Sequence, residues 1–551
     1  MSESAPTDAP SSAPAEGAAP FPVRTPVAGG GSETIKSTLI SLLIAFSLTL
    51  VVRAFVVEAF IIPTGSMAPT LNGRHMRFHS PQTGFDWAVN PWRGRRGDGA
   101  EEAFVDAMDP SSRLRLEMPN NDIVAGDRIL VLKFLGSIFP PSRWDVVVFK
   151  NPEHPSENYI KRLVGLPNEE VWIADGDIFV REPGAHDESR AAWRIERKPE
   201  RVQRALWWTL FSTEMTPLDA EHSGVYWRGP WTPEDPSRWT IDGPSMRVEG
   251  DAPAELAWDN DRWPIDDWIP YNDAPDIRLR APRFPVSDLR LRAVARPEGP
   301  GLRATASLLA LGHEFRATID SDTARIEMRT VAGGGGDRDW RTLAEAPFTG
   351  LSPGRATSLE FRHVDQALSV WIDGERVAYA EYDWGPWERL RFALGQDEAG
   401  LERELRRARG NALAEGDLYQ SPRVSWRFEG SPATLTRVGL DRDLYYEASE
   451  YLGSALPLSP ALATHPANLP ALGPDQYFVL GDNSASSKDG RLWDTVDPWV
   501  RAEIDETMGV VPGKLLMGKA FFVYFPAPHE VRIGSGLHRI VPDFGRMRLI
   551  R

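Results

Sequence analysis

Glu58-Ala59-Phe60-Ile61-Ile62-Pro63-Thr64-Gly65-Ser66-Met67-Ala68-Pro69-Thr70-Leu71 is the point at which an apolar segment gives way to a turn. Pro63, Gly65 and Pro69 punctuate the stretch, so Ser66 sits on a glycine-preceded turn between two prolines. A Gly-Ser pair alone is ordinary turn chemistry. It becomes a candidate nucleophile only where other segments supply a base and oxyanion donors.

Upstream, Ser37 to Val52 carries no charge, and with Arg53 snorkelling the apolar run reaches Val57. That is about 21 residues, close to the roughly 20 a transmembrane helix needs. The pattern predicts a single membrane helix over 35–57. Its length and flanks differ from those of a cleaved signal peptide. Residues 1–34, rich in Ala, Pro, Ser and Gly, predict a disordered tail. Arg24 and Lys36 on one side and Arg74 and Arg77 on the other leave the orientation undecided by charge.

The chain has 551 residues, a formal charge of −16, no cysteine, 20 Trp and 47 Pro. The acidic balance argues against a nucleic-acid partner. The lack of thiols excludes disulfides, thiolate zinc sites and a cysteine nucleophile. Trp and Pro in such numbers point to a loop-rich, mainly β protein.

Short β-branched runs at 127–132, 145–149, 158–164 and 170–173 predict a compact β domain whose strands resume at 476–480 and 519–524. A discontinuous β domain over 58–71, 122–182 and 470–551 follows, with 183–455 inserted into it. Within the insert, alternating runs begin at Ile277, Asp288, Glu314, Ala324, Ser358, Leu390 and Ala433. Leu368–Ile372, Asp373-Gly374 and Glu375–Tyr379 read as a hairpin. These predict a two-sheet sandwich over about 275–445, similar in pattern to the concanavalin-like, laminin-G-type sandwich, with a helix over 398–416. Its ligand, if it has one, is not readable. Residues 72–121 form a smaller insertion, read either as an ordinary loop or as a zinc-ribbon-like unit. Its knuckles would lie at Ser80–Phe85 and Met118–Asn121, lack every thiol and bind no metal.

On the strand Asn158–Val164, alternation puts Tyr159, Lys161 and Leu163 on one face and Ile160, Arg162 and Val164 on the other. Both faces are otherwise apolar. Lys161 is therefore expected to be desolvated and largely neutral near pH 7, able to accept a proton from a serine. Gly481-Asp482-Asn483-Ser484-Ala485-Ser486-Ser487-Lys488-Asp489-Gly490-Arg491 is a polar loop after an apolar strand. Alone it reads equally as an Asx-rich turn or a calcium-type loop.

Pro63–Leu71, Gly126–Val131, Trp144–Phe149 with Tyr159–Pro167, and Gly481–Arg491, in this order behind an apolar segment, resemble the boxes of bacterial type I signal peptidases, membrane-anchored Ser-Lys endopeptidases. The resemblance implies that Ser66 is the nucleophile and Lys161 the general base. It makes the Ser66 N–H and the Thr64 hydroxyl the oxyanion hole, and Ser487 (or Ser486) the serine that orients the lysine. Arg162 with Asp482 forms a supporting ion pair, and Asp489 and Arg491 buttress the site. Phe60, Ile62, Pro63, Met67, Leu71, Tyr159 and Ile160 match the shallow apolar substrate pockets, and a peptide adds to the strand near Phe60–Thr64. It further implies preprotein substrates with small residues at the cleavage site, no cofactor, and a catalytic domain on the outer side of the cytoplasmic membrane. The competing expectation is a membrane-tethered binding or adhesion protein that uses the sandwich on an inactive peptidase scaffold.

Overall fold

The computed structural model describes residues 31–92, 104–119, 123–133, 140–184, 192–219, 221–222, 225–274, 282–331, 339–407, 410–451, 459–533 and 536–551. The chain divides into two units, Met1–Phe55 and Val56–Arg551. In the first, a helix spans Gly31–Phe55. Leu39, Ile40, Leu42, Leu43, Ile44, Phe46 and Leu48 are all exposed on it, so it is apolar on every side. Among the described residues no helix is long and apolar enough to cross a membrane. The helix starts before residue 35 and stops short of 57, because Val57 already pairs with Leu132 in a sheet. Of the expected tail, residues 1–30 lie outside the described residues.

The discontinuous β domain is built on an antiparallel sheet in the order Val57–Ile61, Arg128–Lys133, Leu516–Phe525, Val146–Lys150, Asn158–Gly165, Gln476–Leu480, Val511–Pro512, with Arg548–Leu549 beside Leu516–Phe525. Val57–Ile61 is its edge. Two apolar clusters cover the faces of the central strands: Ile62, Met67, Leu71, Ile129, Val131, Val148 and Ile160 in one, Val147, Phe149, Leu163, Val479 and Trp493 in the other.

The insert forms two further antiparallel sheets. One is centred on Ala433–Arg442, Leu289–Pro297 and Thr357–Val364, the other on Arg423–Glu429, Arg303–Ala310 and His313–Ile319. Leu289, Leu291, Ala293 and Ala295 of the first and Ala304, Ala306, Leu308 and Ala310 of the second alternate into a common core. That alternation is what one-sided burial of a strand requires. Trp208–Ser212, Trp231–Pro233, Trp239–Asp242, Ser245–Val248 and Ala254–Trp258 also join these sheets, so the sandwich starts well before residue 275. Asp373 and Gly374 both have positive φ, as the hairpin turn demands. The run at Leu390 is not a strand. Pro386–Ala393 is a helix that buries Pro386, Arg389, Leu390 and Ala393, a helical spacing, with proline in the first turn. The helix at Glu398 ends at Leu405, and two short 3₁₀ turns, Ala412–Ala414 and Gly416–Leu418, replace its expected second half. Asn411 caps the first of them. Ile277 lies outside the described residues.

The smaller insertion is not a structureless loop. His75–His79, Asp86–Val89 and Ile123–Val124 form one sheet, and Phe104–Met108 with Arg115–Pro119 a hairpin. Its first turn is Ser80–Phe85, as expected, but the second is Asp109-Pro110-Ser111-Ser112, not Met118–Asn121. Met118 and Pro119 belong to a strand, and Asn120 and Asn121 lie outside the described residues. The buried Asp109 carboxylate clasps the two turns together. It accepts from Thr83 Oγ1 (3.1 Å), Ser111 N (2.8 Å), Ser111 Oγ (2.6 Å) and Ser112 Oγ (2.8 Å). Asp109→Ala strands these buried donors, and we expect chemical denaturation to show a loss of about 3 kcal/mol. Ser111→Ala, which removes one donor, is expected to cost about 1 kcal/mol.

Candidate active site

Three segments distant in sequence meet beside the edge strand. Ser66 lies on the turn that follows Val57–Ile61, and Lys161 lies on Asn158–Gly165. The loop Gly481–Arg491 follows the strand that pairs with Asn158–Gly165 through Leu480 and Arg162. Lys161 Nζ donates to Ser66 Oγ at 2.8 Å and to Ile160 O at 3.2 Å. The lysine is 3% exposed and the serine 8%. Burial pulls the Lys161 ammonium down to about 8, with Arg491 acting in the same direction, while the carboxylates of Asp489 and Asp482 oppose the shift. The amine is therefore less depressed than expected from sequence. Near pH 7 about a tenth of it is neutral, because those carboxylates, which come from another segment, favour the ammonium.

Arg162 and Asp482 pair in bidentate fashion, Nε to Oδ1 at 2.8 Å and Nη2 to Oδ2 at 2.6 Å, and both side chains are wholly buried. Thr70 Oγ1 also donates to Asp482, at 2.6 Å, tying the pair to the far end of the turn that carries Ser66. Arg491 and Asp489 form a second buried pair, with Arg491 Nε 2.9 Å from Asp489 Oδ1. Asp489 Oδ2 accepts from Gly481 N, and Arg491 reaches Ser484 and the Glu447 carbonyl. Each ion is thus compensated by its partner and by hydrogen bonds, as burial of charge requires.

Ser487 is buried and Ser486 only partly so. The Ser487 hydroxyl lies close to Gly481, where a Cβ would come within 2.2 Å of it and within 2.5 Å of Ser66 O. Yet among the described residues Ser487 Oγ has no hydrogen-bond partner, Lys161 Nζ included. Tyr159 does contact it, with Lys161 Nζ 5.2 Å from the ring centroid. Thr64 is exposed two residues before Ser66. Of the expected pocket residues, Met67, Leu71 and Ile62 are core rather than lining, because they fill the space under the turn, and Ile160 is nearly so. Phe60, Pro63 and Tyr159 keep accessible surface.

Asn483 also takes part, although no motif assigned it a role. Its N–H donates to Ser66 O at 3.0 Å, and its Nδ2 donates to Gly65 O at 3.0 Å. The only signal was its place in a loop that Asx-turn chemistry already explained.

Among the described residues, one acidic cluster has metal-site spacing: buried Asp177, Asp288 and Asp365. Cations of the chain already occupy it. Lys198 pairs with Asp365 and, at 2.9 Å, with Asp443. Arg389 pairs with Asp175 at 2.8 Å, Asp288 at 3.1 Å and Asp177 at 3.4 Å. Burial, opposed by Arg389, pushes the Asp175 carboxyl up to about 6.

Residues 112–211 and 448–525 match the family described as signal peptidase, peptidase S26. Lys161 and the Gly481–Arg491 loop lie inside the matched residues, Ser66 lies ahead of them, and all of the sandwich after its strand Trp208–Ser212 falls in the gap. The signal peptidase I of Rickettsia typhi is 26% identical over 153 residues, 27% of this chain and 45% of that one. That of Pseudomonas fluorescens is 32% identical over 135 residues, 24% of this chain and 33% of that one. The chain thus spans less than half the length of these curated relatives. A solved carbohydrate-binding module from Bacillus subtilis aligns with 38% of this chain and 95% of its own, with a TM-score of 0.23 and 10% identity. Fold and match together define a relative of the peptidases, mainly β, with a large insertion. Its kin are the type I signal peptidases.

The Asp175 carboxyl gives a linkage of definite sign. Below about pH 4 it is protonated in both the folded and the unfolded chain. Between about 4 and 6 only the folded chain keeps the proton, so stability falls as pH rises through that window and is level above it. In denaturant titrations, Asp175→Asn is expected to remove up to about 1.4 kcal/mol per pH unit of that slope.

Proposed function

We propose that this chain is a membrane-anchored signal peptidase that cleaves signal peptides from exported preproteins through a Ser66–Lys161 dyad. The observation that carries this reading is the 2.8 Å contact between a buried amine and the Ser66 hydroxyl. In its neutral form Lys161 Nζ takes the Ser66 proton as Oγ attacks the scissile carbonyl carbon. The tetrahedral oxyanion is held by the Ser66 N–H and the Thr64 hydroxyl. Collapse breaks the C–N bond, and the leaving amine takes its proton from the Lys161 ammonium. Water then attacks the Ser66 ester, giving a proton to Lys161, and the C–Oγ bond breaks as Lys161 returns that proton to Ser66 Oγ, which frees the signal peptide's new C-terminus. This chemistry needs no metal or cofactor.

The substrate strand adds to the open edge of Val57–Ile61, which carries the chain directly to Ser66. Phe60, Pro63 and Tyr159 contact its side chains. The anchor in the cytoplasmic membrane and the extracytoplasmic position of the catalytic domain follow in this reading from the match to signal peptidases.

In detergent, Ser66→Ala and Lys161→Ala are each expected to lower precursor cleavage by at least about 10³-fold. Activity that survives either change removes the dyad. The pH profile of kcat/KM is expected to rise about tenfold per pH unit below a midpoint near 8, since only the neutral amine acts as base. A midpoint above 10, the ordinary lysine range, would contradict the buried-amine mechanism.

A further inference from the structure

The inserted domain reaches the nucleophile turn. Pro270–Asn272 is a single 3₁₀ turn between strands of the sandwich, and its side chains are buried. The Tyr271 ring lies flush against Gly65, where a Cβ would come within 1.9 Å of ring atom Cε1. Tyr271 Oη donates to Arg74 O at 2.8 Å, and Ile269 and Tyr271 pack on Ala68. Beside the ring, Asn272 and Asn483 form a reciprocal amide pair. Asn272 Nδ2 donates to Asn483 Oδ1 at 2.7 Å, and Asn483 Nδ2 donates to Asn272 Oδ1 at 2.9 Å.

This pairing determines where the rest of the Asn483 amide points. Its Oδ1 and one Nδ2 hydrogen are committed to Asn272, which leaves the second Nδ2 hydrogen for Gly65 O at 3.0 Å. The reverse orientation would set two carbonyl oxygens against each other. Gly65 C=O and Ser66 N–H are the two ends of one planar peptide unit. Fixing the oxygen therefore fixes the direction of the N–H, the backbone donor of the proposed oxyanion hole. The Asn483 N–H, bonded to Ser66 O, holds the next peptide as well.

We infer that Asn272, supplied by the insert, is a positioning residue for catalysis: acting through Asn483, it aims the Ser66 N–H at the developing oxyanion. This rests on the peptidase reading above and deepens it. The insert is then part of the machinery that holds the nucleophile, not a module appended to a finished peptidase.

The test uses the full-length chain in detergent under single turnover, with enzyme in saturating excess over a precursor. The rate constant is then independent of the fraction of molecules that are folded. Asn272→Ala is expected to lower it by about 10- to 100-fold, since a misaimed donor loses part of what a removed one loses. The enzyme concentration at half-saturation should stay unchanged, because the edge strand Val57–Ile61 is untouched. The pH midpoint near 8 should also stay, because Lys161 keeps its neighbours. Asn272→Ser, a milder change, supplies the same comparison should the alanine variant not fold. In an Asn483→Ala background, Asn272→Ala should add less than about twofold, because the residue through which it acts is gone.

Wild-type single-turnover rates in both Asn272 variants, or additive losses in the double variant, would overturn the inference. So would a loss carried by half-saturation alone. Failure of the peptidase reading looks different: wild-type enzyme would not cleave, or Ser66→Ala would cleave as well as wild type.

Discussion

The site depends on keeping one amine out of water. An exposed lysine at neutral pH is an ammonium and no base, so the role proposed for Lys161 beside Ser66 requires the burial that the β walls provide. Desolvation and the nearby carboxylates work against each other. Asp482 and Asp489 are needed to neutralise Arg162 and Arg491, yet their charge also favours the ammonium. The amine settles between full suppression and ordinary basicity, and the charges that set that balance come from the Gly481–Arg491 loop rather than from the lysine's own strand.

The Arg162–Asp482 pair ties the Gly481–Arg491 loop to the sheet, the Arg491–Asp489 pair braces the loop from within, and further contacts join the loop to the turn that carries Ser66. Thr70 and Asn483 make the second connection, one at each end of that turn. The insert adds a third support through Tyr271 and Asn272. Its sheets share a core that also takes in Trp172, Ala174 and Phe179 of the discontinuous domain, and the joint adds a buried array of Asp175, Asp177, Asp288, Lys198 and Arg389 in which both cations are shared. A sandwich held only by flexible linkers would need no such joint.

How much of this was legible follows from the range of each interaction. Ser66, Lys161, Arg162, Asp482, Asp489 and Arg491 were readable because short motifs carry them, and the structure brings all six together. The hairpin at Asp373-Gly374 was legible because its turn requires positive φ at both residues. The Leu390 run was not, since five residues of alternating hydrophobicity fit a strand and a helix alike until the proline and the burial period decide. The second knuckle was misplaced for a similar reason. Met118-Pro119 looks like the expected pattern, but whether Asp109 or a residue near 120 faces Thr83 depends on hairpin register, which sequence spacing alone does not reveal. Tyr271 and Asn272 gave no signal at all. Their partners lie about 200 positions away, and a Tyr-Asn dipeptide in a loop is unremarkable until tertiary structure sets it against Gly65.

The position of the Tyr271 ring bears on how such a chain could change over time. A descendant that lost the sandwich in one deletion would still encode the serine and the lysine. It would also carry a hollow the size of a phenol directly against Gly65, next to Ser66. Solvent entering there would rehydrate the turn and loosen the peptide next to the reactive hydroxyl. Loss of the insert therefore uncovers Gly65 and Ala68 unless other residues fill the place of the ring.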